Sequence, residues 1–390
     1  MDATICGASA FAVWRTPPLM RLIADPLWWG ADAGIPIERL VQARRELMEE
    51  RGLWRLGTLH ERPGTAVSHE AAYGVLLNLR TLLPSLEAPV DVAAWSKGER
   101  RASRLLRPHV VDPVLAEGEL VPLGLQLLIT SPALTLLQLA PRLSLPRLVM
   151  VASEFCGSFS VYRAPAALRA LVEELAAGQG VPVVDGWRPS FDREGHLTDV
   201  WSRPPLALPE ELAALAARAT GRWGRHALAQ AAELVVPGAA SPFEVQTGML
   251  LGLGPELGGE GHGGFVHNER LALDARARRL AGQSACYCDL FWPEGEGRRA
   301  LDVECHSATF HLGERRELSD ADRALALQST GVEVLFVTYA QVASASRFEA
   351  LAQTVAEKLG REVVPRDEGF LARRAELRRE VLVDFHGLLG

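Results

Sequence analysis

The chain is short of cysteine, of excess basic charge and of uninterrupted apolar runs, and each shortage removes a class of protein. Five cysteines stand among 390 residues, at Cys6, Cys156, Cys286, Cys288 and Cys305. So odd and scattered a set does not make a disulfide framework and suits a reducing cytoplasm. The most apolar stretch, residues 120–145, is broken by Pro122, Pro132 and Pro141 and contains Arg142. It reads as a buried core segment, not as a membrane span. Residues 1–12 lack the basic region that precedes the apolar part of a signal peptide. The net charge of -7 is the wrong sign for a protein that coats nucleic acid non-specifically. Any action on nucleic acid must then rest on local basic patches, a metal ion or brief contact.

What is present is an ordinary globular composition. Apolar residues at 48% supply large cores, and charged residues at 23% leave no room for long disordered tracts. The length implies two domains, or three. Residues 1–68 read as helical, with good helix formers at 40–56 and a second helix at 68–83 behind a Ser N-cap. Residues 90–95 and 110–114 read as short strands. Thr130-Ser131-Pro132 then opens a helix over 133–143. Residues 178–209, rich in Pro, Gly and Trp, read as an irregular connection. Residues 208–234 are Ala-rich and helical, with a break near Gly221 to Gly224, and 237–240 reads as a linker and the main boundary.

The last part alternates more cleanly. Helices are predicted at 241–251, 319–330, 347–359 (stopped by Gly360) and 370–382. Strands are predicted at 284–292 and 299–305, around the turn 293–297, and a buried strand at 332–338. The fold class is therefore α/β in residues 237–390, a mixed sheet flanked by helices, after a mainly helical α+β region in residues 1–236.

Acids cluster on the two hairpin strands. Alternation puts Asp302 and Glu304 on one face and Leu301, Val303 and Cys305 on the other, while Asp289 parts from Cys286 and Cys288. Three carboxylates then converge, and without basic partners they repel unless a cation sits between them. Oxygen-only ligands favour Mg²⁺ or Mn²⁺. The bland alternative is a solvated strand face, although Asp is disfavoured in strands. Glu244 has its own alternative, since Ser241-Pro242-Phe243-Glu244 is a capping box. Asp320 and Asp322 equally suit a helix N-terminus.

These residues carry a resemblance. Ser241-Pro242-Phe243-Glu244, Asn268, Asp289-Leu290-Phe291-Trp292-Pro293, Asp302-Val303-Glu304-Cys305, His311, Asp320-Ala321-Asp322-Arg323, Leu327 and Gly331 follow one another in order. The series resembles the very-short-patch-repair-like endonucleases of the PD-(D/E)xK superfamily. The resemblance implies a restriction-endonuclease-like fold in residues 237–390, with Asp289 and Asp302 as metal ligands. Glu304 would help hold metal or water where other members of the superfamily carry Lys. It also implies Glu244 as a helix carboxylate near the site, His311 at phosphate or as a base, and Arg323 at phosphate. Two departures are Asp302, where Glu is usual, and Cys305, where Gly or Ser is usual. Residues 5–161 are more weakly similar to AbiEi-type antitoxin and regulator proteins, through Ile5-Cys6-Gly7-Ala8-Ser9-Ala10, Pro89-Val90-Asp91-Val92 and the segment 130–140. That family is linked to DNA-binding regulators and phage-defence loci.

Other patterns compete. Cys286, Cys288, Cys305, His306 and His311 could be a zinc set, but thiols beside Val303 read better as small core hydrophobes. Gly252 to Gly264 lacks the Gly-Lys-Ser/Thr ending of a phosphate loop and reads as a flexible loop beside the site. Lys97, Arg100, Arg101, Arg104 and Arg107 form the basic cluster best suited to a phosphate backbone. Arg373, Arg374, Arg378 and Arg379, interleaved with Glu376 and Glu380, read as a solvated helix face. The expectation is a cytoplasmic metal-dependent nuclease acting on nucleic acid, DNA first, in phage defence or repair. The alternative is a DNA-binding regulator whose nuclease fold does not cut.

Overall fold

The structure, a computed structural model, describes residues 3–24, 34–50, 89–100, 102, 106–124, 127–192, 194–295, 297–306 and 314–389. The helix expected at 68–83 and the residue His311 lie outside them. The described residues are mixed α/β with three sheets.

A strand, β1 (Ala3–Ile5), opens the described chain where helix was expected. Thr4 and Ile5 are β-branched and buried, which suits a strand. Gly7, at φ +55, turns the chain sharply into α1 (Gly7–Trp14), and Gln138 Oε1 accepts its amide at 2.8 Å. Helices α2 (Leu19–Ala24) and α3 (Ile37–Glu50) follow, α3 burying Leu40, Ala43 and Leu47 along one stripe. The first sheet has the order β3-β2-β1-β5-β4, with β2 (Val90–Ala94), β3 (Leu106–Val110), β4 (Leu120–Gly124) and β5 (Leu127–Thr130). The strand expected at 110–114 ends at Val110. Pro113 has no amide to give a ladder, and Asp112 caps α4 (Pro113–Ala116) by accepting the Val114 amide at 3.0 Å. Pro122 is tolerated because β4 lies at the sheet edge.

The Thr-Ser-Pro start acts as predicted: Ser131 Oγ accepts the Leu134 amide at 3.0 Å and opens α5 (Pro132–Leu139). Helix α6 (Leu145–Cys156) then crosses the middle of the molecule, and every residue from Leu148 to Cys156 is buried. Among them is Glu154. Its Oε1 accepts from Arg15 Nε at 2.8 Å, Val161 N at 3.0 Å and Ser160 Oγ at 3.2 Å. Arg15 in turn donates from Nη2 to the Phe385 carbonyl at 3.0 Å. Residues 178–209, expected to be irregular, instead hold β7 (Arg188–Phe191) and β8 (Leu197–Ser202). With β6 (Phe159–Val161) they form a sheet of order β6-β8-β7 beside α7 (Ala166–Ala177). Burial of Trp187, Leu197 and Trp201 drives this, a tertiary effect that local composition hides. Helices α8 (Pro209–Arg218) and α9 (Arg225–Leu234) are separated at Gly224, φ +84, as the glycine break predicts.

Residues 237–240, expected as a linker, are packed in. The Gly238 amide donates to Cys156 O at 3.1 Å, the Ser158 amide donates to Ala239 O at 2.8 Å, and Ala239 is fully buried. One apolar core runs continuously from Phe11 through α6 to Phe385 and Leu388. After α10 (Pro242–Gly252) comes the third sheet, of order β12-β11-β10-β9. Its strands are β9 (Val266–Ala272), β10 (Ala285–Trp292), β11 (Leu301–His306) and β12 (Glu333–Thr338). The β9, β10 and β11 strands run antiparallel, while β11 and β12 are parallel. Helices α11 (Ala275–Ala281), α12 (Glu314–Ser329), α13 (Tyr339–Ala343), α14 (Ala345–Leu359) and α15 (Glu368–Val381) complete the part.

Three expectations change here. The strand near 332–338 is a half-exposed edge strand, because β11 pairs it on one side only. The Gly252–Gly264 stretch is pinned, not loose. Buried Glu260 binds Arg366 at 2.8 Å and Arg374 at 3.3 Å, and the His262 carbonyl accepts Trp292 Nε1 at 2.9 Å. The α15 arginines are only half a solvated face: Arg373 and Arg379 are exposed as expected, but Arg374 is buried between Glu260 and Glu349, and Arg378 donates to the Val342 and Ala343 carbonyls. No helix among the described residues is long and apolar enough to cross a membrane.

Glu154 yields the first prediction. Removing one partner of a buried ion pair strands the other, at about 3–5 kcal/mol, whereas apolar replacement of both is far milder. Glu154→Ala should therefore lower the denaturant midpoint by a stability loss of that size. The double variant Arg15→Met/Glu154→Leu should recover most of it. Wild-type stability in Glu154→Ala would remove this pair from its central role.

Candidate active site

The hairpin pairs as the sequence predicts: Phe291 lies opposite Asp302, Leu290 opposite Val303 and Trp292 opposite Leu301. On one side Leu290, Trp292, Leu301 and Val303 join the main core. On the other, Cys286, Cys288 and Phe291 pack with Ala326 and Leu327 of α12. Strict alternation cannot place Cys288 and Phe291 on one face, so the strand must swap faces between them. The swap falls at Asp289. The β9–β10 ladder pairs Cys288 with Glu269 and Leu290 with His267 but skips Asp289, and across from the gap Asn268 adopts φ +52. This corrects the expectation that all three strand cysteines lie opposite the acids. Cys288 shares the α12 side with Asp302, whose charge, after burial, helps push the thiol up.

The interruption distributes the carboxyl groups. Asp302 and Glu304 share the α12 side. Glu244, on α10, lies on the other side and is buried at 6% exposure. Asp289 stands at the crossing, where its Oδ2 accepts the Cys305 amide at 2.8 Å and its carbonyl meets His267 Nδ1 at 3.0 Å. Ser241 caps α10, as expected, by accepting the Glu244 amide at 3.2 Å. The Glu244 carboxyl reaches one residue further back than a capping box requires. Its Oε2 accepts the Ala240 amide at 2.8 Å and Asn268 Nδ2 at 2.8 Å. The same Asn268 that breaks the ladder thus fixes the helix carboxyl beside it.

The electrostatics follow from burial. Glu244 is pushed up to about 8, first by desolvation and then by the Asp289 charge. Desolvation also raises Asp302 and Glu304, and Asp302 raises Glu304 further. One guanidinium answers this group. Arg323 donates to Glu304 Oε1 at 2.5 Å and to the Tyr287 carbonyl. Burial works against the Arg323 charge, but Glu304, Asp289 and Asp302 together hold its pKa above the ordinary value. The Asp302 side chain is wholly buried, and neither of its oxygens has a hydrogen-bond partner of ordinary geometry.

A cleft of about 730 Å³ opens onto this arrangement, lined by Glu244, Asp289, Glu304 and Arg323, with Asp302 behind them. Of the expected site residues, the structure brings these five together, while His311 lies outside the described residues. Arg323, expected at phosphate, is occupied by Glu304. The ligand oxygens of Asp289, Asp302 and Glu304 do not all lie within 4.8 Å of one another. Among the described residues the trio that does is Asp192, Glu194 and His196, on the exposed β7–β8 turn. In the Lys97–Arg107 cluster, Lys97 and Arg100 are exposed, Arg107 lies 3.5 Å from Asp91, and Arg101 and Arg104 fall outside the described residues. Three residues lining the cleft escaped sequence reasoning: Arg163, Asp199 and His386. They are single residues far apart in the chain, and no spacing could have joined them.

No family model matches the chain, and no curated protein or solved structure does. The likeness to the endonuclease superfamily therefore stands on the residues alone.

A pH prediction follows. A carboxyl whose pKa is raised by folding binds more protons folded than unfolded, so stability falls as pH climbs toward the folded value. Buried His262 and His267, both lowered to about 4 chiefly by desolvation, act oppositely but only below their unfolded value, about 6.5. Asp199 and Glu349 are lowered and act at still lower pH. Above about pH 6.5, then, the melting temperature in EDTA should fall toward about pH 8, and Glu244→Gln, which removes the carboxyl raised to about 8, should flatten that fall. A melting temperature that rises across this interval would contradict the assignment.

Proposed function

We propose that this protein is a metal-dependent nuclease that hydrolyses phosphodiester bonds, with DNA as substrate. One observation carries the reading. Four carboxyl groups, at Glu244, Asp289, Asp302 and Glu304, crowd at and behind a cleft with one guanidinium among them, and the wholly buried Asp302 has only the Glu304 carboxyl and the Cys288 thiol beside its oxygens, with no donor of ordinary geometry. A charge deficit of this kind is relieved by protonation or by a cation. The donor set is all oxygen, which fits Mg²⁺ or Mn²⁺ better than zinc.

Asp302 and Asp289 are the residues best placed to hold the ion, with Glu304 joining them as it leaves Arg323. Bound there, a divalent cation supplies Lewis-acid stabilisation of charge on a phosphoryl oxygen. Glu244, fixed by Asn268 and the Ala240 amide, holds or releases a proton beside Asp289. Arg323, freed from Glu304, offers its guanidinium to the cleft. The N-terminal part would supply targeting or regulation.

A second reading has its own support. The Glu304–Arg323 pair satisfies the third acid without metal, which favours a DNA-binding regulator with a non-cutting nuclease fold. The two readings separate in a cleavage assay on single- and double-stranded DNA and RNA with Mg²⁺, Mn²⁺ or EDTA. We expect metal-dependent cutting that drops by at least about 100-fold in Asp302→Ala and Asp289→Ala, as loss of a metal ligand requires. Full cutting by both variants would sink the site assignment. Retained DNA binding with no cutting on any substrate would favour the regulator.

A further inference from the structure

The cleft has a second wall, on which basic side chains stand among acids. The end of β6 brings Arg163 to it, β8 brings Asp199, and the turn after α15 brings His386. Asp199 gathers two guanidinium groups and an imidazole. Its Oδ2 meets His386 Nε2 at 3.0 Å and Arg163 Nε at 3.4 Å, while Oδ1 accepts Arg169 Nη2 at 3.2 Å. Glu173, 4.0 Å from Arg169, and Asp384, 3.9 Å from Arg163, complete the charged surroundings. The hydrogen bond from His386, ahead of the opposing effect of burial, holds Asp199 below the usual carboxylate range.

As a structural ion pair the Arg163 contact contributes little. Its side chain is 67% exposed, and a pair so open to solvent adds little to stability. What Asp199 does achieve is orientation. A guanidinium and an imidazole steered by one carboxylate lose less freedom when an anion arrives. Protonated histidine donates through both ring nitrogens. With Nε2 on Asp199, Nδ1 has no protein partner among the described residues. The carboxylate wall repels phosphate unless a cation intervenes, so strand binding without metal must come from this side.

Resting on the nuclease reading, the geometry points to Arg163 and His386 as the seat for a phosphate of the nucleic-acid strand next to the one cleaved, with Asp199 as the positioning residue for both. The N-terminal region then builds half of the substrate cleft.

Fluorescence anisotropy of short labelled DNA and RNA strands on the full chain in EDTA tests this without any turnover. Arg163→Gln and His386→Gln should each weaken binding by about 5–10-fold and reduce the salt slope by about 1, as loss of one phosphate contact does. Asp199→Asn, which keeps the shape, should weaken binding less than the two together. Arg276→Gln, an exposed arginine outside the cleft, should leave it unchanged. Wild-type affinity in the Arg163→Gln/His386→Gln double variant overturns the inference, as does a wild-type chain that binds no strand in EDTA. If that chain nevertheless cuts with Mg²⁺, the phosphate seat is wrong and the nuclease reading survives. Binding that depends on Arg163 and His386, with no cutting on any substrate, keeps the phosphate seat and overturns the nuclease reading.

Discussion

Burying a carboxylate in the last turn of a helix is tolerable only when the chain brings donors to it, and Glu154 draws two segments to itself and, through one of them, a third. Arg15 comes from beyond α1, Ser160 and the Val161 amide come from β6, and Arg15 extends the link to the carbonyl of Phe385. Each bond is stronger than its neutral counterpart because one partner is charged, the Glu154 carboxylate or the Arg15 guanidinium, and the group is sealed from water. The consequence is positional. β6 and the turn at Phe385 are held to the same point, so Arg163 and His386, only a few residues further along each, arrive on one wall of the cleft.

The acid wall depends on a different device. In an unbroken ladder Asp289 would follow the alternation of Cys286 and Cys288, and the carboxyls would sit on one face. Asn268 at φ +52 breaks the ladder opposite Asp289 and lets β10 exchange its faces. Asparagine tolerates that conformation better than most residues, and its amide is then available to hold Glu244 across the break. Helix carboxyl, strand carboxyl and ladder interruption form one unit. That unit gives the Asn in the sequence pattern a physical task.

Much of this was legible in the residues, and the reasons for the remainder differ. Local chemistry read well: Ser131 and Ser241 as caps, the break near Gly221 to Gly224, Gly360 as a stop, and the strand alternation that sets Asp302 and Glu304 on one face. These depend on neighbours within a few positions. The strand at Ala3–Ile5 is too short to show a period. β7 and β8 exist because Trp187 and Trp201 find a core supplied by segments far away. The face swap at Asp289 defeated strict alternation, since a single positive φ leaves no mark in hydrophobic periodicity. The role of Arg374 was missed because its partners, Glu260 and Glu349, lie far from it in sequence. The carboxyl cluster was visible, but Arg323 as its internal counter-charge was not.

The bond between Arg15 and the Phe385 carbonyl also bears on how the molecule is made. A chain emerges from the ribosome N-terminus first, and its parts fold as their partners appear. Here Phe11, α6 and Phe385 share one core, so the early segments stay without their final contacts until residue 385 has been synthesised. Helix α6, buried on every side from Leu148 to Cys156, must wait through roughly 230 residues of elongation, at roughly 5–20 residues per second. For about ten seconds at the faster end of that range, and several times longer at the slower, the nascent protein presents a helix with no dry side to rest on. That interval is when an attending chaperone would matter most to its yield.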